Sequence, residues 1–153
     1  MRQFVPPPGP LIQEQLTSEW EILVAAILLN QSRRTAAWDA TLATILDCWK
    51  TPRSLCEAPT KLEEVIRPHG FANVKAKRLR RMCSEFQDWD GADPRDLHGC
   101  GQYAFDSWRI FVRGDRPRPD EVKDGVLVKW LEKQWSNSQT VTWPRPLASQ
   151  RCM

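Results

Sequence analysis

In the segment Leu97-His98-Gly99-Cys100-Gly101, two glycines stand close together just before a stretch of helical periodicity, Tyr103 to Val112. Glycine takes positive φ at no steric cost, so such a turn can bring consecutive backbone N–H groups to one point in space, where they can hold a phosphate oxygen. The helix that follows adds the partial positive charge of its N-terminus at the same place. An ordinary helical hairpin whose glycines ease packing would use the same residues, and both readings stay open on spacing alone. Basic side chains lie on either side: Lys75, Lys77, Arg78, Arg80 and Arg81 crowd one stretch, and Arg109, Arg113, Arg116 and Arg118 another. Taken alone, each run reads as a solvated helix face. Metal chemistry has little to draw on. His69 and His98 are the only imidazoles, and the five cysteines (Cys48, Cys56, Cys83, Cys100, Cys152) are scattered with no Cys-x-x-Cys pair. That pattern implies reduced thiols in an intracellular protein, with neither a zinc site nor a disulfide framework.

The elements that must position these residues are helical. Met1 to Pro10 carries Pro6-Pro7-Pro8-Gly9-Pro10 and is expected to be an extended arm over 1–10. Ser18 and Glu21 make a capping box ahead of Trp20, Ile22, Leu23, Ala26 and Ile27, a buried helix ending near Asn30. Trp38, Leu42, Ile45 and Trp49 share one helix face within Thr35 to Trp49. Thr51 followed by Pro52 opens a short helix. Thr60 and Glu63 repeat the capping box, and that helix stops at His69-Gly70. Asn73 is expected to cap a long basic helix to about Trp89. Asp124 can cap the last helix, whose inner face is Leu127, Trp130, Leu131 and Trp135. Nothing alternates like a strand, so the fold class is all-α, with short loops between antiparallel neighbours.

Composition agrees with one folded domain. The 153 residues are 41% hydrophobic and 9% aromatic, which excludes general disorder and is enough for a core. A net charge of +3 does not by itself announce nucleic acid. Ile22 to Leu29, the longest apolar stretch, is too short to span a bilayer, so no membrane association is expected.

Several stretches at matching separations resemble the helix-hairpin-helix DNA glycosylases, most closely the thymine glycosylase domain of methyl-CpG-binding repair proteins. They are Leu11-Ile12-Gln13-Glu14, Ile27-Leu28-Leu29-Asn30, Pro68-His69-Gly70-Phe71 with Lys75-Ala76-Lys77, Leu97 to Tyr103 with Asp106 to Phe111, and Asp124-Gly125-Val126-Leu127 with Lys129-Trp130. The likeness runs from about Pro8 to Asn137, which gives a glycosylase domain over 11–137 and a loose tail over 138–153. It implies a monomer that acts on double-stranded DNA, flips out a damaged or mispaired base and hydrolyses its N-glycosidic bond. It also implies a setting in the cytoplasm or nucleoid of a prokaryote, or the nucleus of a eukaryote.

The resemblance assigns roles by position. Asp124 falls on the catalytic aspartate, with Asp120 the fallback if the preceding loop carries no extra residue. A carboxylate there would stabilise the oxocarbenium character that builds on the sugar and orient the attacking water. Tyr103 stands where bifunctional relatives carry a Schiff-base lysine, so base release without strand cleavage is implied. Ile12, Gln13 and Tyr103 line the base pocket. Gln31 fills the hole left by the flipped base, while His69 and Phe71 lie in the loop that wedges against the orphaned partner. Lys75, Lys77, Gly99, Gly101 and Gln102 complete the DNA contacts. The cysteine cluster of the endonuclease III branch is missing, so neither an iron–sulfur cluster nor any other cofactor is expected. Thymine or uracil opposite guanine is the implied substrate. The alternatives are adenine in a mismatch, suggested by Gln31 and Asp124-Gly125, a modified pyrimidine, or a helix-hairpin-helix module that binds DNA without catalysis.

Overall fold

A computed structural model describes residues 2–137 and 140–147. Among the described residues seven α-helices form: α1 Glu19–Leu29, α2 Ala36–Cys48, α3 Pro52–Cys56, α4 Lys61–Ile66, α5 Ala72–Phe86, α6 Gln102–Phe111 and α7 Gly125–Ser136. A 3₁₀ turn at Ile12–Gln15 precedes α1, others at Arg67–His69, Pro94–Asp96 and Pro119–Glu121 lie between later helices, and no strand forms among the described residues.

Helix α1 is apolar on every side, and all its residues but Leu29 are buried. A helix of that kind can only be the centre of the core, and α2, α5 and α6 pack around it. Helix α5 turns a stripe of Ala76, Leu79, Met82, Cys83 and Phe86 inward and leaves its arginines outside or at the edge. Helices α3 and α4 cover its other flank. Helix α7 buries Leu127 and Leu131 completely, and Trp130 meets Phe111 of α6 at 5.2 Å between ring centres.

The helix starts depart in detail from the expected boxes. Ser18 accepts the N–H of Glu21, but the Glu21 carboxylate reaches back one residue further, to the Thr17 N–H at 2.9 Å. Thr60 has helical backbone angles and makes no side-chain cap, and Glu63 is taken by Arg80 of α5 instead of reaching back to Thr60. Asn73 is not a cap either: α5 begins at Ala72, after Phe71 in the left-handed region. Thr51 and Asp124 cap as expected, Asp124 Oδ2 accepting the Leu127 N–H at 3.0 Å, and Thr35 caps α2 by accepting the Trp38 N–H.

Both ends of the chain are more engaged than their composition suggests. The arm over 1–10 is not simply extended: it turns at Pro6–Gly9, where the Gly9 N–H donates to the Pro6 carbonyl at 2.9 Å. Arg2 ties it down through Asp47 and Glu21. The described part of the tail expected to be loose lies on the body. Trp143 packs edge-on against Trp130 and Trp135, and the Leu147 N–H donates to the Phe111 carbonyl at 2.9 Å. Aromatic burial offsets the entropy of ordering a short segment that has no helix of its own. Residues 138, 139 and 148–153 of that tail lie outside the described residues.

Candidate active site and nucleic-acid interface

A cavity of about 600 Å³ gathers Ile12, Gln13, Gln31, Arg34, Tyr103 and Asp124 from parts of the chain far apart in sequence. Asp124 belongs to it because the first turn of α7 points there, and the cap bond to Leu127 fixes one of its carboxylate oxygens. Asp120 is exposed in the short Pro119–Glu121 turn and does not line the cavity.

Gln13 is brought in by the 3₁₀ turn Ile12–Gln15, which the Glu14 carboxylate closes by accepting the Leu11 N–H at 2.8 Å. Only 6% of Gln13 is exposed, and its amide nitrogen donates to the Tyr103 hydroxyl at 2.8 Å and to Ser107 Oγ at 3.1 Å. Both N–H groups are thereby used, so the carbonyl oxygen is the atom left to meet a ligand. Ser107, one turn along α6 from Tyr103, supports the pair; its place at helical spacing was readable in the sequence, but its role depends on Gln13 arriving from elsewhere. Burial, and then the charge of Asp124, pushes the Tyr103 phenol up to about 12. It therefore keeps its proton at neutral pH and, while accepting from Gln13, can donate to a ligand oxygen.

A second cavity of about 550 Å³ adjoins the first, since Asn30 and Tyr103 line both. Its floor is the hairpin from Leu97 to Gly101, with Gln102, Arg78 and Arg95 at its sides. The first arm of the hairpin is one 3₁₀ turn, Pro94–Asp96, not a full helix. The two glycines differ. Gly99 sits at φ +82°, and a Cβ there would press on Arg78 and Ile27 at 3.3 Å, so the fold itself requires it. Gly101 has φ −106°, which any residue can adopt, and a Cβ on it would meet nothing within 4 Å. The expectation of positive φ at both is corrected to Gly99 alone. Gly101 is the N-cap of α6 without a side-chain cap, so the first N–H groups of the helix face the open cavity.

Among the described residues, only Gln31 (φ +57°) and Phe71 (φ +53°) are non-glycine residues with positive φ. Both are exposed, Phe71 by 58%. A bulky side chain in that region is strained, and an aromatic ring held in water gains nothing from the core. They are two of the three positions expected at the DNA distortion, His69 being the third, and Phe71 is not a core residue.

Two expected contacts are corrected. Lys75 is only 1% exposed and donates from Nζ to Ser32 Oγ, beneath the loop that carries Gln31. Burial, reinforced by Arg78, lowers its pKa. It buttresses that loop and is not free for a phosphate; the spacing 75, 79, 82, 86 placed it on the inner face of α5, a signal that its charge concealed. His69 is half-buried, with Nε2 2.6 Å from Thr41 Oγ1, and burial first, then Lys75, lowers its pKa. It ties the loop that carries Phe71 to α2 and leaves the exposed position to Phe71. Lys77 and Gln102 are exposed, the latter bonded to Asp106 and Arg95. No group of three or more His, Cys, Asp or Glu side chains among the described residues is placed to hold a metal ion.

An all-helical fold with a glycine hairpin beside a carboxylate-bearing cavity defines a class, and residues 24–142 match it: the chain belongs to the HhH-GPD superfamily of base excision DNA repair proteins. It is 30% identical over 125 residues to the methyl-CpG-binding domain protein 4-like protein of Arabidopsis thaliana, covering 77% of this chain and 28% of the plant protein. Its backbone is similar to a thermostable thymine-DNA glycosylase, with a TM-score of 0.62 at 17% identity over 73% of this chain and 55% of that one. Endonuclease III in a trapped covalent complex with DNA gives a TM-score of 0.58 at 20% identity, over 84% and 74% of the two chains. The chain thus spans little more than a quarter of its plant relative and about half of the thymine-DNA glycosylase.

Proposed function

We propose that this chain hydrolyses the N-glycosidic bond of thymine or uracil mispaired with guanine in duplex DNA and leaves the strand intact. The observation that carries the reading is the polarity of the Gln13–Tyr103 pair. The pair offers a flipped base one acceptor, the Gln13 carbonyl, beside one donor, the Tyr103 hydroxyl. Thymine and uracil present the complement, an N3–H donor next to a carbonyl oxygen. A phosphate in the hairpin cavity would fix the strand while Phe71 and Gln31 hold the gap open.

The chemistry needs one carboxylate. As the bond from C1′ to the base nitrogen breaks, its electron pair leaves with the base and positive charge gathers on the sugar. Asp124 faces that charge, and its oxygen not held by Leu127 takes the proton of the water that adds to C1′. A Schiff base would need an amine, and among the described residues no lysine lines the cavity. Lys123 and Lys129 are both exposed. The likeness to a thymine-DNA glycosylase supports the fold this reading requires.

The test is a panel of duplexes, each with one mismatched or modified base, treated with alkali after incubation. Release of thymine or uracil opposite guanine, with strand breaks only after alkali, is the expected result. Release of adenine alone, or an adduct trapped by borohydride on the unmodified chain, overturns the assignment.

A further inference from the structure

The Pro6–Pro10 loop lies outside the stretch that matches the family, yet Pro7 and Gly9 line the same cavity as Tyr103 and Asp124. Its two ends are held by the same two side chains. Gln15 Nε2 donates to the Val5 carbonyl at 3.0 Å and to the Pro10 carbonyl at 3.1 Å. Arg34 donates to the same two oxygens, from Nη2 to Val5 at 2.7 Å and from Nη1 to Pro10 at 2.8 Å. Gln15 Oε1 also accepts the Val5 N–H at 2.7 Å. The guanidinium is itself held in a fork by Asp39, at 2.7 and 2.8 Å, and the two side chains are only 12% and 4% exposed. Between the clamped ends the chain has no slack: prolines restrict φ, and a Cβ on Gly9 would fall 2.5 Å from Val5 Cγ1.

From this geometry we propose that the Pro6–Pro10 loop is a rigid wall of the base pocket that limits the size of base admitted, with Arg34 and Gln15 as positioning residues that clasp it. The proposal rests on the reading of the chain as a pyrimidine glycosylase and adds how the pocket selects by size. Hydrogen bonding cannot supply that selection, because the Watson–Crick edge of adenine also presents a donor beside an acceptor. A wall that is already ordered excludes the larger ring system without first having to close. Each added group that meets such a wall costs roughly tenfold or more in rate.

The test uses the full chain and two variants: Gln15→Ala, and Arg34→Leu combined with Asp39→Leu so that no lone buried carboxylate remains. Single-turnover rates are measured on uracil, thymine and uracils bearing bromine or hydroxymethyl at C5, each opposite guanine. In the variants, the rates on the bulkier bases relative to uracil are expected to rise by about tenfold. Rates that all fall by one common factor would show a merely structural role and overturn the proposal. Hydrogen exchange at the Val5 and Gly9 amides separates this failure from failure of the functional reading. Protection in the parent that is lost in both variants supports the clasp even if no pyrimidine is released, and rapid exchange in the parent overturns it whatever the chemistry.

Discussion

Asp124 does two things, and a single substitution separates them. Asparagine caps a helix about as well as aspartate, so Asp124→Asn should leave stability within about 0.5 kcal/mol of the parent. Without the negative charge, base release should fall by a factor on the order of a thousand while duplex binding persists. Full activity in that variant, with loss in Asp120→Asn instead, would move the catalytic role to the exposed turn. Phe71 makes the complementary case, a residue whose cost to the fold is visible. Its ring is exposed and its backbone strained at φ +53°. Phe71→Ala should therefore change the melting temperature little, with a stability change of about 0.5 kcal/mol or less. The same variant should slow base flipping, which a fluorescent base analogue placed opposite the target would register. A large drop in stability would return Phe71 to a packing role.

The hairpin before α6 makes different demands on its two glycines. Gly99→Ala should destabilise the protein by about 1–3 kcal/mol, since positive φ and the contacts with Ile27 and Arg78 act together. Gly101→Val should cost about 1 kcal/mol or less, because its backbone angles suit any residue and the space beyond is open. The same side chain would block the approach of a phosphate to the α6 N-terminus and weaken binding to all duplexes alike. Thermal melts and binding titrations on two unrelated duplexes distinguish the cases; a loss confined to one lesion would contradict the phosphate role.

Across the fold as one body, the thiols report on the integrity of the core. Cys48, Cys56, Cys83 and Cys100 are all free. Burial pushes the Cys83 and Cys100 thiols up to about 12, whereas Cys48 is exposed. The thiolate is the reactive form, so an alkylating reagent in mildly alkaline buffer should label Cys48 in the folded protein and spare Cys83 and Cys100. Peptide mapping by mass spectrometry checks this, and rapid labelling of Cys83 in native buffer would mean that α5 does not seat against α1 as described.

Local rules were enough for much of this architecture. The helical class, the central placing of the apolar α1, the caps at Thr51 and Asp124 and the glycine hairpin all follow from interactions within a few residues, which spacing records directly. The likeness carried by short motifs was enough to name Gln13, Tyr103 and Asp124. What spacing could not record was partner choice. Glu63 sits where a capping box would use it, yet it pairs with Arg80, because a guanidinium brought close by α5 outcompetes a single backbone N–H. Lys75 reads as a DNA contact until α5 is docked, when the rotation that buries Leu79 and Phe86 carries it under Ser32. The proline arm reads as an extended segment until Arg34 reaches its carbonyls from well along the chain, beside the nearer Gln15. Hydrogen bonds between distant residues depend on how the helices pack, and packing is a property of the assembled core that no local window contains.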